Sequence, residues 1–236
     1  MLDEKVSVIV PTLQKNTKIL QTLVSILNAD DAVSEIIIIN NSIKPLSLQF
    51  VSKKMKICTP SANMFVNISW NFGISTAKND IFLIINDDII CCENLCSLIL
   101  ETGIFEDEQT GLIGIDNDYI NNYFKGQVDD KFFSINKQLT VNDITLNKLD
   151  TYKKLYDWGS AFFGRKKSYF KIPAKFKILY GDNYLLKRNL EEGRICYKMT
   201  GLPFNHLHSL SSYDPEFWPI CQQDYNLADD DLRNNK

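Results

Sequence analysis

Two short runs in this chain leave no face for water. Residues 35–39 read Glu-Ile-Ile-Ile-Ile and residues 81–85 read Ile-Phe-Leu-Ile-Ile. Both are strand-sized. A strand that is apolar on both sides must be covered on both sides, which is the environment of a mostly parallel sheet with helices above and below it. Ligands of such sheets bind beyond the carboxyl ends of the strands. Polar clusters stand at three such ends: Pro11-Thr12 after the run 6–10, Asn40-Asn41-Ser42 after 35–39, and Asn86-Asp87-Asp88 after 81–85.

Helical patterns alternate with these strands. Asn16 or Thr17 can cap a helix whose Ile19, Leu20, Leu23, Val24 and Leu27 share one face. A weaker strand is expected at 55–59, a helix at 67–78, a helix through Leu95, Leu98 and Ile99 that ends at Gly103, and a strand at 111–115. The second half is less regular. Residues 116–150 are polar and suit a hairpin or a substrate-facing segment; 158–163 is strand-like, and 165–170 starts a short helix. A helix is expected at 182–192, stopped by Gly193, then a strand at 194–199 and a terminal helix within 215–231 with a frayed acidic end.

A chain of 236 residues with no repeat or linker suits one α/β domain. A net charge of −3 gives no basic face for nucleic acid. No apolar run reaches the roughly 18 residues of a membrane span, and the N-terminus lacks a signal-peptide pattern. The expectation is a soluble cytoplasmic protein, with peripheral membrane contact left open. The six cysteines lack the spacing of a zinc set and read as free thiols.

Adjacent carboxylates at a buried strand end repel one another unless hydrogen bonds or a cation offset them. Asp87 and Asp88 therefore suit a divalent metal, since Mg²⁺ and Mn²⁺ prefer oxygen ligands completed by substrate phosphates; a turn or a helix cap would account for them equally well. Asp182 is either an N-cap or a general base, and a helix N-terminus favours its ionised form. His206 and His208, the only histidines, lie two apart and could reach a metal or phosphate. The run Arg165-Lys166-Lys167 reads as a solvated helix start. Trp158 and Trp218 read better as core residues than as sugar platforms.

In this order the segments resemble the inverting family-2 glycosyltransferases of the GT-A fold, over roughly residues 5–212. The stretch 6–12 looks like the family's opening strand. Asn40-Asn41-Ser42 looks like its nucleoside-binding turn. Trp70-Asn71-Phe72-Gly73, followed by Ala77, resembles its Arg-Asn-x-Gly-x-x-x-Ala helix, and Asn86-Asp87-Asp88 its Asp-x-Asp metal motif. Asp157-Trp158-Gly159-Ser160 looks like the acceptor-side strand. Tyr180-Gly181-Asp182 resembles the segment carrying the base, usually Glu-Asp, and His208 with Ser211 the terminal His-x-x-Ser. Three positions depart from the pattern: Asn86 and Asn40 where Asp is usual, and Gly181 where Glu is usual.

The resemblance implies a nucleotide-sugar-binding half at about 1–115, an acceptor half at about 116–212, and a C-terminal tail at 213–236. It implies that Pro11, Thr12, Asn40, Asn41, Ser42, Asn71, Asn86 and Asp87 seat the donor, and that Asp88 with His206 or His208 holds Mn²⁺ or Mg²⁺. Trp158, Gly159 and Ser160 would then face the acceptor, with Asp182 as the base. The implied partners are a nucleoside-diphosphate sugar and a saccharide, lipid-linked or protein acceptor. A nucleotide-sugar-binding protein without turnover is the alternative, motivated by Asn86. A sugar nucleotidyltransferase is weaker, because Pro11-Thr12-Leu13-Gln14-Lys15 lacks a glycine-rich phosphate loop.

Overall fold

The computed structural model of the chain describes residues 4–115, 122–123, 128–135, 138–149, 159–207, 214–228 and 232. Strand β1 (Val6–Thr12) is followed by helix α1 (Thr17–Ala29), β2 (Val33–Asn40), β3 (Met55–Cys58), α2 (Phe65–Thr76) and β4 (Ile81–Ile85). Next come β5 (Ile89–Ile90), α3 (Leu95–Glu101), β6 (Thr110–Ile115), β7 (Asn122–Tyr123), β8 (Thr145–Leu149) and β9 (Ala161–Arg165). The last elements are α4 (Gly181–Glu191), β10 (Ile195–Thr200), β11 (Asn205–His206) and α5 (Trp218–Leu227). The main sheet has the order β3-β2-β1-β4-β9-β6-β10-β8. β3, β2, β1 and β4 are mutually parallel, β9 runs antiparallel between β4 and β6, β10 is parallel to β6, and β8 is an antiparallel edge.

The doubly apolar runs sit where their composition demands. Every residue of β4 is buried, as is β2 from Glu35 onward. One core lies against α1 and α3 and includes Leu20, Val24, Leu83 and Leu98. The opposite core lies against α2 and α4 and includes Ile9, Trp70, Phe82, Phe162 and Leu185. Asn16 caps α1 through a 3.1 Å bond from the Ile19 N–H. Glu35 interrupts the apolar run of β2 and is buried too; its carboxylate accepts bonds from Ser7 Oγ and the Lys78 N–H. Gly73 lets α2 lie directly on the sheet: a Cβ there would meet the side chain of Ile9, and Ile39 Cδ1 at 3.3 Å.

Several expectations are corrected at element ends. The segment expected to begin a helix at Arg165 instead ends β9 and makes a single 3₁₀ turn, Lys166–Ser168. Arg165 is no solvated residue. It pairs with Asp80 at 2.7 Å and Glu4 at 3.0 Å, and donates to the Phe105 carbonyl. Trp218 is 59% exposed rather than core, because it opens α5 on the side facing solvent. The six cysteines are free, and burial pushes the thiols of Cys91 and Cys96 well above their ordinary range.

Candidate active site

The ends of β4, β1 and β2 are joined side chain to side chain. Thr12 Oγ1 donates to Asp87 Oδ2 and accepts the Gln14 N–H at 2.9 Å. Gln14 Nε2 then donates to Asn40 Oδ1 and to the Lys44 carbonyl, both at 2.8 Å. Gln14 reaches both strands from a left-handed backbone, φ 58°. Asn40 Nδ2 also donates to the Lys44 carbonyl, and Asn40 Oδ1 accepts the Ser42 N–H at 3.1 Å, which closes the turn 40–44. Pro11 is tolerated in β1 because the pairing with β4 stops at Ile9, so its missing N–H breaks no bond on that side.

Asp87 is pushed well above the usual aspartate range, first by burial and then by the charge of Asp88; Thr12 pulls it partly back. Beside it, Asp88 is fixed by a small sheet ordered β5-β11-β7. β11 pairs antiparallel with β5, placing His206 opposite Ile89, and the Leu207 N–H donates to the Asp88 carbonyl at 2.9 Å. His206 Nε2 therefore stands 3.2 Å from Asp88 Oδ1, with the two side chains only 9% and 14% exposed. Among the described residues, no three acidic, histidine or cysteine side chains gather as a metal site. Asp88 and His206 thus offer one oxygen and one nitrogen, a donor set that suits a divalent ion completed by phosphate oxygens and water rather than a closed protein cage. His208 and Trp158 lie outside the described residues.

The residues expected on the acceptor side, Gly159 and Ser160, join the same cluster. The Asn86 N–H donates to the Ser160 carbonyl at 2.9 Å, which ties the acidic loop to the entry of β9. Gly159 then packs against Asp182: a Cβ at position 159 would lie 2.7 Å from both Cβ and Cγ of the aspartate. Asp182 is not the N-cap of α4. Tyr180 holds that position with φ 65°, and Asp182 is the second residue of the helix. Gly181 is compelled by Asn67 of α2, whose amide Cγ would lie 2.7 Å from a Cβ there. This accounts for the glycine where the family pattern has glutamate.

Two expected donor residues are committed to the fold. Asn71 Oδ1 accepts from Tyr169 Oη and the Ile172 N–H, and its Nδ2 donates to the Ile172 carbonyl, each at 2.9 Å. Asn41 ties the end of β2 to α2 through Ser69 Oγ and the Met64 N–H. Sequence reasoning missed Gln14, Asn67 and Lys15. Lys15 follows the β1 cluster and pairs with Asp214 at 2.7 Å. A cation next to a strand-end cluster was the available signal for Lys15. Gln14 and Asn67 carried none.

A family model described as Glycosyl transferase family 2 matches residues 7–172. No curated protein sequence matches the chain. Among solved structures, S. aureus TarS 1-349 in complex with UDP superposes with a TM-score of 0.59 at 16% identity, over 98% of this chain and 68% of that one. S. aureus TarS 1-349 gives 0.56 at 16% identity over 82% and 57%, and S. aureus TarS gives 0.57 at 16% identity over 98% and 41%. The chain thus spans about half the length of these two structures. At this identity the likeness is one of fold, and the fold is GT-A.

Proposed function

The chain belongs to glycosyl transferase family 2, and we propose that it moves a sugar from a nucleoside-diphosphate donor to an acceptor hydroxyl with inversion at the anomeric carbon. One observation carries this reading: the Asp87–Asp88 loop, bonded to Thr12 and approached by His206, is tied through Ser160 and Gly159 to Asp182. This linkage supports donor phosphate chemistry and a base for the acceptor side by side at the strand ends.

Pro11, Thr12, Asn40 and Ser42 form the nucleotide side of the rim, with Gln14 bracing it and Asn41 tying β2 to α2 behind it. Asp88 and His206 would hold Mn²⁺ or Mg²⁺ together with the donor diphosphate, and the ion when bound would offset charge on the departing phosphate. Asp182 accepts the proton of the acceptor hydroxyl. The freed oxygen bonds to the anomeric carbon as that carbon's bond to the diphosphate oxygen breaks, and the nucleoside diphosphate leaves with the electron pair. One displacement inverts the configuration. Gly159 and Ser160 bound the acceptor side.

The test begins with a thermal-shift panel of nucleoside-diphosphate sugars, with and without Mn²⁺. UDP sugars come first, because UDP is the ligand of the TarS complex. One donor class should stabilise the chain. Asp182→Asn should bind that donor unchanged and lose transfer by about 10²–10⁴-fold. Wild-type rates in Asp182→Asn would remove the base assignment. Donor binding without any transfer would identify a binding protein, and no shift with any donor would end the reading.

A further inference from the structure

Asp224 is 1% exposed although it lies in α5, close to the C-terminus. Its carboxylate collects consecutive main-chain donors. The Lys177 N–H reaches both oxygens at 3.0 Å, and the Ile178 and Leu179 N–H groups reach Oδ2 at 2.6 and 2.9 Å. Successive amides converging on one anion form a nest, and charge-assisted bonds of this kind are among the stronger ones in a protein.

The carbonyl side of the same segment is held from elsewhere. The Asn67 N–H donates to the Lys177 carbonyl at 3.1 Å, and Asn67 Nδ2 donates to the Leu179 carbonyl at 3.0 Å. The segment is therefore gripped between α5 and α2. It leads straight into Tyr180, which takes a left-handed backbone, and then into Gly181 and Asp182. A bulky residue in that conformation persists only where its surroundings over-determine it. The two grips lie directly before the strained residue, and the strained residue sets where α4 begins.

We propose that Asp224 is the positioning residue for Asp182. By anchoring the amides of 177–179 it fixes the turn at Tyr180 and so the placement of the Asp182 carboxylate against Gly159. Both α4, which carries Asp182, and α5 lie beyond the stretch matched by the family model, which ends at residue 172. In this chain the C-terminal helix completes the catalytic half. The catalytic consequence rests on Asp182 being the base; the anchoring does not.

Two readouts separate these. In Asp224→Asn the charge is lost and an NH₂ takes the place of one carboxylate oxygen, facing at least the Lys177 N–H. Hydrogen exchange at Ile178 and Leu179, and at Tyr184, whose N–H donates to the Tyr180 carbonyl at 2.9 Å, should quicken by about tenfold or more while the amides of β1 and β4 keep wild-type protection. Transfer from the donor found in the binding panel should show kcat lowered by about tenfold or more with donor KM within about twofold. Asp224→Glu, which restores the carboxylate one methylene further out, should recover part of both. Unchanged exchange overturns the anchoring. Faster exchange with unchanged kcat overturns the positioning role. A wild-type chain that binds donor but transfers nothing overturns the reading of Asp182, and exchange still decides the anchoring. If Asp224→Asn does not fold, Asp224→Ser keeps a short acceptor and is judged by the same readouts.

Discussion

Gly159 and Asp182 are in such close contact that position 159 has no room for a side chain: a methyl there would lie 2.7 Å from the aspartate's Cβ and Cγ. Since Asp182 is held at the first turn of α4, the carboxylate has to move to admit it. Gly159→Ala should therefore lower transfer by about tenfold to a hundredfold, because sub-ångström to ångström misplacement of a reacting group costs that much. Stability should fall by no more than about 1–3 kcal/mol, the usual cost of overpacking. Steady-state kinetics beside a denaturation curve checks both, and wild-type kcat would show that Asp182 is not where the reaction needs it.

Asp88 and His206 are brought together by two-residue strands, so their joint role can be tested without disturbing the main sheet. In wild type, Mn²⁺ should enlarge the thermal shift given by the nucleoside diphosphate. In Asp88→Asn and in His206→Ala that enlargement should shrink or vanish while the shift without metal persists. A metal-enhanced shift that survives both substitutions would place the ion elsewhere.

Much of this cluster was legible from residue order. The doubly apolar β2 and β4 forced a covered parallel sheet, and a parallel sheet brings Thr12, Asn40 and Asp87 to one rim. What links them was not legible. The bond from Thr12 to Asp87 depends on the stagger of β1 against β4, and Gln14 acts through a left-handed turn that no periodicity announces. β5 and β11 are two residues each, too short to leave a pattern, so the approach of His206 to Asp88 was open. Asp224 was hidden for a different reason. A carboxylate on a polar terminal helix looks the same whether it faces water or a nest of amides.

Asp87 should make the stability of the metal-free chain depend on pH. Its folded pKa is raised by burial and by Asp88, so the folded chain holds a proton that the unfolded chain releases. Stability is then full below the ordinary aspartate range and is lost as pH rises toward neutrality. Asp87→Asn, with no proton to lose, should be the more stable by about 1–3 kcal/mol at pH 8, with the gap closing toward pH 4. Denaturant midpoints measured in chelator across that range check it. A gap independent of pH would mean that the carboxylate is not desolvated.

Gly181 and Asn67 give the last prediction. Adding a methyl at 181 drives it into the Asn67 amide, and that amide is held by its bond to the Leu179 carbonyl. It cannot rotate away without leaving the carbonyl unpaired. Gly181→Ala should cost about 1–3 kcal/mol, and Gly181→Glu, which writes in the residue usual for the family, should cost at least as much without raising transfer. In an Asn67→Ala background the cost of Gly181→Ala should fall by about 0.5–3 kcal/mol, the size of coupling between residues in contact. A double-mutant cycle from denaturation midpoints measures it. Additive costs would mean that the glycine answers to something other than Asn67, and the departure from the family pattern would then need another cause.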